Sequence, residues 1–187
     1  KRSGTTAVHC PWTNLRLGSG IADIPRMVSS GIGVTVASDG APCNNRLDLA
    51  GDLRLAMGLS SVKGFPSSLT SEFWYRSVSD RAAEALGWTD VGRIFKGYSA
   101  DIVILRPSPD ELEELEMAED PVRYLLELNW PERVSMTLIE GDCVYMDGEF
   151  PTLPPLPASL AESRRTVAER ASGLPGNPLR WKGNDEG

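Results

Sequence analysis

The stretch that decides the fold is Ile32-Gly33-Val34-Thr35-Val36-Ala37-Ser38-Asp39-Gly40-Ala41-Pro42-Cys43-Asn44-Asn45. Its first half is a run of small and β-branched residues, which predicts a strand buried on both faces, as in a parallel sheet or barrel. The run ends at Asp39, and residues that favour turns follow it. A carboxylate at the carboxyl end of a buried parallel strand is where α/β barrels carry their chemistry. Because Asp also caps turns and helices, position alone leaves both roles of Asp39 open.

Working outward from this stretch, two strand–loop–helix units follow each other. Thr5–His9 is a short strand candidate, and a polar, turn-forming segment comes after it. Asp23 is a candidate N-cap for a short helix that leads to the second strand, Ile32–Ser38. From Leu47 to about Gly58 the apolar residues recur at helical spacing. Two such units indicate an α/β fold with a parallel sheet.

The pattern changes in the second half of the chain. Ser71 is a candidate N-cap for a stronger helix that would end at Gly87. The apolar stripe of this helix would consist of Phe73, Trp74, Val78, Ala82, Ala85 and Leu86. The remaining predicted elements are strands at 92–94 and 100–105 joined by a tight turn at 97–98, a solvated acidic segment at 110–119, a helix starting at Asp120-Pro121, a hairpin at 134–146, a Pro-rich linker at 151–157, a charged helix at 160–171 and a polar tail at 175–187.

Composition excludes several classes of function. The 187 residues carry a formal net charge of −7 without a basic stripe, which argues against a nucleic-acid partner. No apolar run is long enough to span a bilayer and no basic-then-apolar leader is seen, so we predict a cytoplasmic protein without membrane contact. Cys10, Cys43 and Cys143 match reduced intracellular thiols. Because the sequence begins without Met and almost at once enters a strand, we expect a segment of a longer protein.

Four motifs stand in a fixed order along the chain. They are His9-Cys10-Pro11-Trp12-Thr13-Asn14-Leu15-Arg16-Leu17-Gly18-Ser19-Gly20-Ile21, Ser38-Asp39-Gly40-Ala41-Pro42-Cys43-Asn44-Asn45, Ala83-Glu84-Ala85-Leu86-Gly87-Trp88 and Val91-Gly92-Arg93-Ile94-Phe95-Lys96-Gly97-Tyr98-Ser99-Ala100-Asp101-Ile102-Val103. Together they resemble the C-terminal portion of the amidohydrolase superfamily, in the branch that holds guanine deaminase, S-adenosylhomocysteine deaminase and triazine hydrolases. The resemblance covers roughly Thr5–Gly148.

The resemblance implies a fold and a division into domains. Members of the superfamily are metal-dependent (β/α)₈ TIM barrels with a small β-sandwich made from both chain ends. On that template, the two predicted strands resemble the last two strands of the barrel. Residues 1–90 would be the C-terminal part of the barrel with its following helix, and residues 91–150 the C-terminal share of the sandwich. Residues 151–187 would be the linker, helix and tail.

The resemblance also implies the chemistry. In the family, the acid that matches Asp39 binds the metal and shuttles protons. The cofactor would be a divalent metal, zinc in the first place and iron as the alternative, which lowers the pKa of its water from about 15.7 towards 7. The resulting hydroxide would attack a ring carbon bearing an amino group, and the carboxylate would hand a proton to the departing ammonia. The expected substrate is a small nitrogen heterocycle of the purine, pterin or triazine kind.

The other candidate site residues are His9, Asn14, Asn44 and Asn45, as substrate or second-sphere contacts. On the template His9 follows the seventh strand, where it would line the pocket or support a neighbour, the alternative being a purely structural histidine. Asn44 and Asn45 would orient the Asp39 loop or touch substrate, although turn-formers need no function. A zinc site improvised from His9, Cys10, Cys43 and Asp39 matches no ligand spacing.

The ligand set is incomplete, because an open zinc site takes about three protein ligands and the chain has one His. The family's remaining His ligands have no counterpart here. We therefore expect the N-terminal remainder of the same protein, or a complementing chain, as a partner, and we also consider a homo-oligomer. Two alternatives to the deaminase stay open: an amide or carbon–halogen hydrolase on the same scaffold, and a non-catalytic remnant or interaction module.

Overall fold

The computed structural model describes residues 3–64 and 69–152, and also residues 162, 163, 165, 166 and 169. The chain divides into two compact units, Lys1–Pro151 and Thr152–Gly187. The last five described residues are helical and fall within the helix predicted for 160–171. The rest of that helix, nearly all of the predicted linker and the predicted tail lie outside the described residues.

The described part of the first unit is an α/β structure with two small sheets. Its strands are β1 (Thr6–His9), β2 (Gly33–Val36), β3 (Ile102–Leu105), β4 (Val134–Ile139) and β5 (Asp142–Met146). Its helices are α1 (Pro11–Arg16), α2 (Ile24–Ser29), α3 (Leu49–Lys63), α4 (Ser71–Ser77), α5 (Asp80–Ala85), α6 (Pro109–Met117), α7 (Pro121–Glu127) and α8 (Trp130–Arg133). Among these helices, none has both the length and the apolar character that crossing a membrane would require.

The first sheet consists of β1 and β2, which pair in parallel with Thr6 opposite Gly33 and His9 opposite Val36. The intervening α2 begins where expected, since the Asp23 carboxylate accepts a hydrogen bond from the Arg26 N–H at 3.0 Å. Consecutive side chains of β2 point to opposite faces, and Val34, Thr35 and Val36 are all buried. The prediction of a parallel strand buried on both faces is therefore confirmed.

The hydrophobic core forms around β2. Helix α3 contributes Leu53, which is fully buried, and α4 contributes the edge-to-face pair Phe73 and Trp74. The whole buried cluster is Ile24, Val34, Val36, Leu53, Ala56, Phe73, Trp74 and Leu126. Because the core packs on β2, this strand and the loop that follows it have a rigid support.

The single helix predicted for Ser71–Gly87 is two helices in the structure. Thr70, and not Ser71, caps α4, and the chain breaks between Ser77 and Asp80 before α5 begins. Leu86, which the apolar stripe assigned to the core, is exposed. The break redirects the second half of the stripe, which explains why a continuous 3.6-residue period gave the wrong burial there.

Asp80 supplies the physical reason for this break. Its buried carboxylate receives hydrogen bonds from the Arg76 Nε at 2.9 Å and from the Arg93 Nε at 2.9 Å. Burial raises the pKa of Asp80, but the hydrogen bonds and charges of the two arginines outweigh it, so that the pKa is lowered overall. Gly92 (φ +84°) passes so close that a Cβ there would lie 2.7 Å from the Asp80 Cα. Asp80 thus fixes the segment after α5 against the start of that helix.

The second sheet is antiparallel, with the strand order β3-β4-β5. The hairpin predicted at 134–146 is confirmed by the pairing of β4 with β5. The strand predicted at 92–94 is instead irregular chain, whereas the turn predicted at 97–98 is present, with the Tyr98 N–H donating to the Phe95 carbonyl at 3.0 Å. Arg133, at the end of α8, forms a bidentate pair with Glu111 on α6.

Three short helices, α1, α6 and α8, lie where the sequence predicted none. Pro11 opens α1 in the segment predicted as a turn, because a fixed φ and a missing N–H suit the first turn of a helix. The acidic segment after Ser108 forms α6, which has no buried residue. A capping box between Ser108 and Glu111 starts this helix.

Candidate functional site

The candidate site lies at the carboxyl ends of β1 and β2. The two strands end side by side, and their pairing continues one step further because the Ala37 N–H donates to the His9 carbonyl at 3.0 Å. The loops that leave the two strands are therefore neighbours. Parallel α/β sheets place their ligands at this edge.

Asp39 lies three residues beyond the end of β2. Its backbone adopts the left-handed region, with φ 64°, and its side chain is exposed. One carboxylate oxygen accepts a hydrogen bond from the Gly40 N–H at 2.7 Å. No other hydrogen bond or ion pair of the Asp39 carboxylate is found within the part of the chain that the structure describes, so one oxygen stays open to a ligand.

His9 and Cys10 bring the end of β1 next to Asp39. His9 is 5% exposed, and burial lowers the pKa of its imidazole, so the ring is neutral at pH 7. Burial also raises the pKa of the Cys10 thiol, and the negative charges of Asp39 and Asp52 raise it further. The Asp39 N–H donates to the Cys10 sulfur, which acts in the opposite direction. Cys10 is therefore a protonated thiol in contact with the backbone of Asp39.

The three candidate asparagines have different surroundings. Asn44 is 1% exposed, and its amide nitrogen donates to the Ser38 carbonyl at 2.8 Å, directly before Asp39. Asn45 is exposed and accepts a hydrogen bond from Arg16 at 2.7 Å, which connects the two loops. Asn14 is half-buried within α1, where its N–H donates to the Cys10 carbonyl at 3.0 Å and its carbonyl accepts from the Ser19 N–H at 2.8 Å.

Asp52, on the first turn of α3, is a site residue that the sequence analysis missed. It is 4% exposed and accepts hydrogen bonds from the Trp12 N–H at 3.1 Å and from the Asn44 amide at 2.9 Å. Burial raises the pKa of Asp52, while these two hydrogen bonds lower it. A signal was present in the sequence, because position 52 falls on the apolar face of the predicted helix, one turn before Ala56.

Among these residues, Asp39 is a candidate for one ligand of a metal site, but they do not form a complete ligand set. A catalytic zinc ion takes three protein ligands and keeps a fourth position open. In residues 3–64 and 69–152, no three His, Cys, Asp or Glu side chains are grouped so that they could hold a metal ion. The open carboxylate of Asp39 has the donor chemistry for one ligand position. The other ligands would have to come from outside the described residues.

Comparison with known proteins identifies the family of the chain and shows that it matches only part of its relatives. The sequence profile of the amidohydrolase family matches residues 1–144. The chain is 34% identical over 145 residues to the 5-methylthioadenosine/S-adenosylhomocysteine deaminase of Thermotoga maritima, a match that covers 78% of the chain and 34% of that protein. The chain therefore spans about a third of the length of this relative.

Two solved structures are also similar. An adenosine deaminase from Xanthomonas campestris with bound zinc superposes with a TM-score of 0.76 at 25% identity, over 90% of the chain and 38% of that structure. A triazine hydrolase variant superposes with a TM-score of 0.63 at 26% identity, over 91% of the chain and 36% of that structure. The β1–β2 edge with Asp39 is thus found in a chain that shares its fold with a zinc-bound adenosine deaminase and a triazine hydrolase variant.

Proposed function

The chain belongs to the amidohydrolase family, and from this premise we propose that it supplies the C-terminal part of the active site of a divalent-metal-dependent aminohydrolase. The reaction would release ammonia from an amino-substituted nitrogen heterocycle. One observation carries the proposal: an exposed carboxylate, Asp39, stands at the shared carboxyl end of two parallel strands with one oxygen free for a ligand.

The finer architecture belongs to the same proposal. In it, β1 and β2 are the last two strands of a (β/α)₈ barrel, and residues 1–90 form the end of that barrel. The β3-β4-β5 sheet, in residues 91–150, is the C-terminal share of a β-sandwich. Residues 151–187 are the linker, helix and tail. The parallel β1–β2 pair and the separate antiparallel sheet are compatible with this division.

Asp39 would act as a metal ligand and as the proton carrier of the reaction. A divalent cation at this position, with zinc the first candidate and iron the second, supplies Lewis acidity that brings the pKa of a bound water towards 7. The Asp39 carboxylate accepts the proton of the attacking water and then donates it to the departing nitrogen. General acid–base catalysis of this kind contributes about 10²- to 10⁴-fold.

The neighbouring residues would shape the pocket around this acid. The neutral His9 imidazole offers one donor and one acceptor next to the reacting centre, without a charge that competes for the metal. Asn14 and Asn45, on the two loops, are the proposed polar contacts to the substrate. The N-terminal remainder of the polypeptide, or a complementing chain, would contribute the missing metal ligands.

Relatives support a purine as the substrate class. The Thermotoga maritima protein is a 5-methylthioadenosine/S-adenosylhomocysteine deaminase, and the Xanthomonas campestris structure is an adenosine deaminase. Both names denote the loss of an amino group from an adenosine-type purine. We therefore place 6-aminopurine nucleosides before pterins and triazines among the candidate substrates.

Two other functions have an observation in their favour. Similarity to a triazine hydrolase variant supports hydrolysis of another bond, an amide or a carbon–halogen bond, on the same scaffold. The lack of a three-ligand group among the described residues supports a non-catalytic module. Metal content separates the second of these from the enzymes, and the released product separates the enzymes from each other.

The test uses the polypeptide as its gene encodes it. We expect about one zinc or iron per chain and ammonia release from adenosine-type substrates in a panel that also contains pterins and triazines. Asp39→Asn should lower kcat at least about 100-fold and weaken metal retention, because it removes a charged ligand and the proton carrier. Asp23→Asn is the matched control, since Asn caps a helix as well as Asp does and the α2 cap is retained.

Absence of bound metal together with absence of ammonia release would refute the aminohydrolase. Release of chloride or of a carboxylic acid without ammonia would favour the alternative hydrolases. Equal activity of Asp39→Asn and Asp23→Asn would remove Asp39 from the mechanism.

A further inference from the structure

A chain of hydrogen bonds connects the buried Asp52 with the peptide that precedes Asp39. The second carboxylate oxygen of Asp52 accepts from the Asn44 amide at 2.9 Å. The same amide nitrogen donates to the Ser38 carbonyl at 2.8 Å. A primary amide has two N–H donors, so Asn44 makes both bonds at once. The Ser38 carbonyl belongs to the peptide unit that delivers the Asp39 nitrogen, and its orientation limits the direction in which Asp39 leaves the strand.

Asp52 also reaches the loop that follows β1. Its first carboxylate oxygen accepts from the Trp12 N–H at 3.1 Å, in the first turn of α1. One buried carboxylate on α3 thus holds both loops at the carboxyl ends of the parallel strands. Asn44 is held from a third side, because its side-chain oxygen accepts from the Arg46 N–H at 3.1 Å.

The burial of Asp52 is costly, which calls for a reason beyond packing. Among the described residues, the charge that shifts the pKa of Asp52 is that of another acid, Asp48, and no cation is paired with it. An apolar side chain at such a position is often at least as stabilising as a buried charge. Asp52 also lies on the same face of α3 as Leu53 and Ala56, which are buried in the core. The Asp52 carboxylate instead holds its two hydrogen-bond donors, the Trp12 N–H and the Asn44 amide, in a fixed geometry.

We propose that Asp52, acting through Asn44, is a positioning residue that holds Asp39 in its left-handed conformation at the end of β2. The role of Asp39 in this inference rests on the proposed function, whereas the order of the loop does not. Catalytic groups must be held within a fraction of an ångström of their working position by supporting hydrogen bonds, and a displacement of 1 Å costs about 100-fold in rate.

Asp52→Asn is the first variant. The new side chain has the same shape and still accepts from the Trp12 N–H with its oxygen. Its amide nitrogen faces the Asn44 amide, however, so two donors meet and the connection to Ser38 is broken. Asp48→Asn is the matched control, because it removes a carboxylate from the same stretch while Asn retains the N-cap of α3.

A second variant exchanges the two partners, Asn44→Asp with Asp52→Asn. The amide now at position 52 donates to the carboxylate at position 44, which restores the hydrogen bond between these positions. The carboxylate also keeps the bond from the Arg46 N–H, but it cannot donate to the Ser38 carbonyl. This variant therefore separates the stability of the pair from the positioning of Asp39, and it decides the question if Asp52→Asn alone does not fold.

The test has two readouts, steady-state kinetics and amide hydrogen exchange, and both are measured on the polypeptide as its gene encodes it. We expect Asp52→Asn to lower kcat about 10- to 100-fold with KM within threefold, and to accelerate amide hydrogen exchange in residues 37–45 at least tenfold. Exchange in α3 should stay near the wild-type rate. The exchanged pair should have a higher Tm than Asp52→Asn alone, while kcat stays low and the loop exchanges rapidly. Asp48→Asn should match the wild type in both readouts.

The proposal is overturned if kcat and loop exchange of Asp52→Asn stay within twofold of those of Asp48→Asn. It is also overturned if the exchanged pair regains full kcat, since Ser38 then needs no donor. If the wild type releases no ammonia, the proposed function fails. Hydrogen exchange in residues 37–45 then tests by itself whether Asp52 holds the Asp39 loop.

Discussion

Replacing Gly92 by Ala should destabilise the fold more than any other glycine-to-alanine change in the segment after α5. At φ +84° an L-residue loses about 1–2 kcal/mol relative to glycine. A Cβ at this position would also lie 2.7 Å from the Asp80 Cα and 2.9 Å from the Asp80 nitrogen. Both are backbone atoms, which cannot turn away as a flexible side chain can.

Relief of this overlap requires a shift of the chain that carries Arg93 relative to Asp80, in a region where Asp80 is buried. Overpacking of this kind costs about 1–3 kcal/mol. The total expected loss in the free energy of unfolding is therefore about 2–5 kcal/mol. Gly97→Ala is the matched control, because Gly97 has φ +93° but nothing within 4 Å of its would-be Cβ.

The assay is equilibrium urea unfolding of the two variants and the wild type. Gly97→Ala should lose only the backbone contribution, about 1–2 kcal/mol. Changes in the freedom of the unfolded chain are the same in both variants and cancel. If Gly92→Ala and Gly97→Ala are destabilised equally, within about 0.5 kcal/mol, the close approach of Gly92 to Asp80 does not contribute to the free energy of unfolding. The argument that Asp80 fixes the segment after α5 is then refuted.

Two further predictions concern the core and the acidic helix. Leu53→Ala should reduce the free energy of unfolding by about 3–5 kcal/mol, because Leu53 is fully buried beneath β2. In the same denaturation assay, Leu47→Ala is the control and should change the free energy of unfolding by less than about 0.5 kcal/mol, because Leu47 is 70% exposed. Arg133 and the Ser108 N–H lower the pKa of Glu111 from 4.5 to about 2, so this carboxylate stabilises the fold above pH 4.5 and loses that effect as the pH falls towards 2. Glu111→Gln should therefore show a flatter decline of Tm between pH 5 and pH 2 than the wild type, and an unchanged slope would contradict the Glu111–Arg133 pairing.

The sequence was sufficient for elements whose signal is local. The β-branched run before Asp39 predicted β2 and its burial on both faces, and Asp23 and Asp120 predicted helix starts that the structure contains. The family resemblance is likewise confirmed, since the family profile matches most of the chain. The strand and the helix starts depend on residue types within a few positions of each other, and the resemblance depends on short motifs whose order along the chain can be read directly.

Two of the errors arose where a distant contact decides the local structure, whereas the missed helices α1 and α6 have local start signals, Pro11 and the Ser108–Glu111 capping box. The helix predicted for 71–87 breaks because Asp80 is held by Arg93, thirteen residues further on, and no period in the sequence reports that contact. Asp52 was missed for a similar reason. The Asp52 carboxylate lies on the apolar face of α3, and only its hydrogen bonds with Trp12 and Asn44 explain an acid at this position.

In the proposed site, the residues that position Asp39 and the remaining metal ligands would come from two different parts of the polypeptide. The position of Asp39 depends on Ser38, Asn44 and Asp52, all of which lie within the chain and rest on the core beneath β2. A three-ligand metal group does not occur among the described residues, so the proposed site would take its remaining metal ligands from residues elsewhere. In the proposed site, a metal ion would meet a carboxylate whose backbone is already fixed, so that little of the binding free energy would be spent on ordering that loop. It follows that removal of metal with a chelator should leave hydrogen exchange in residues 37–45 nearly unchanged, while Asp52→Asn accelerates it with metal bound.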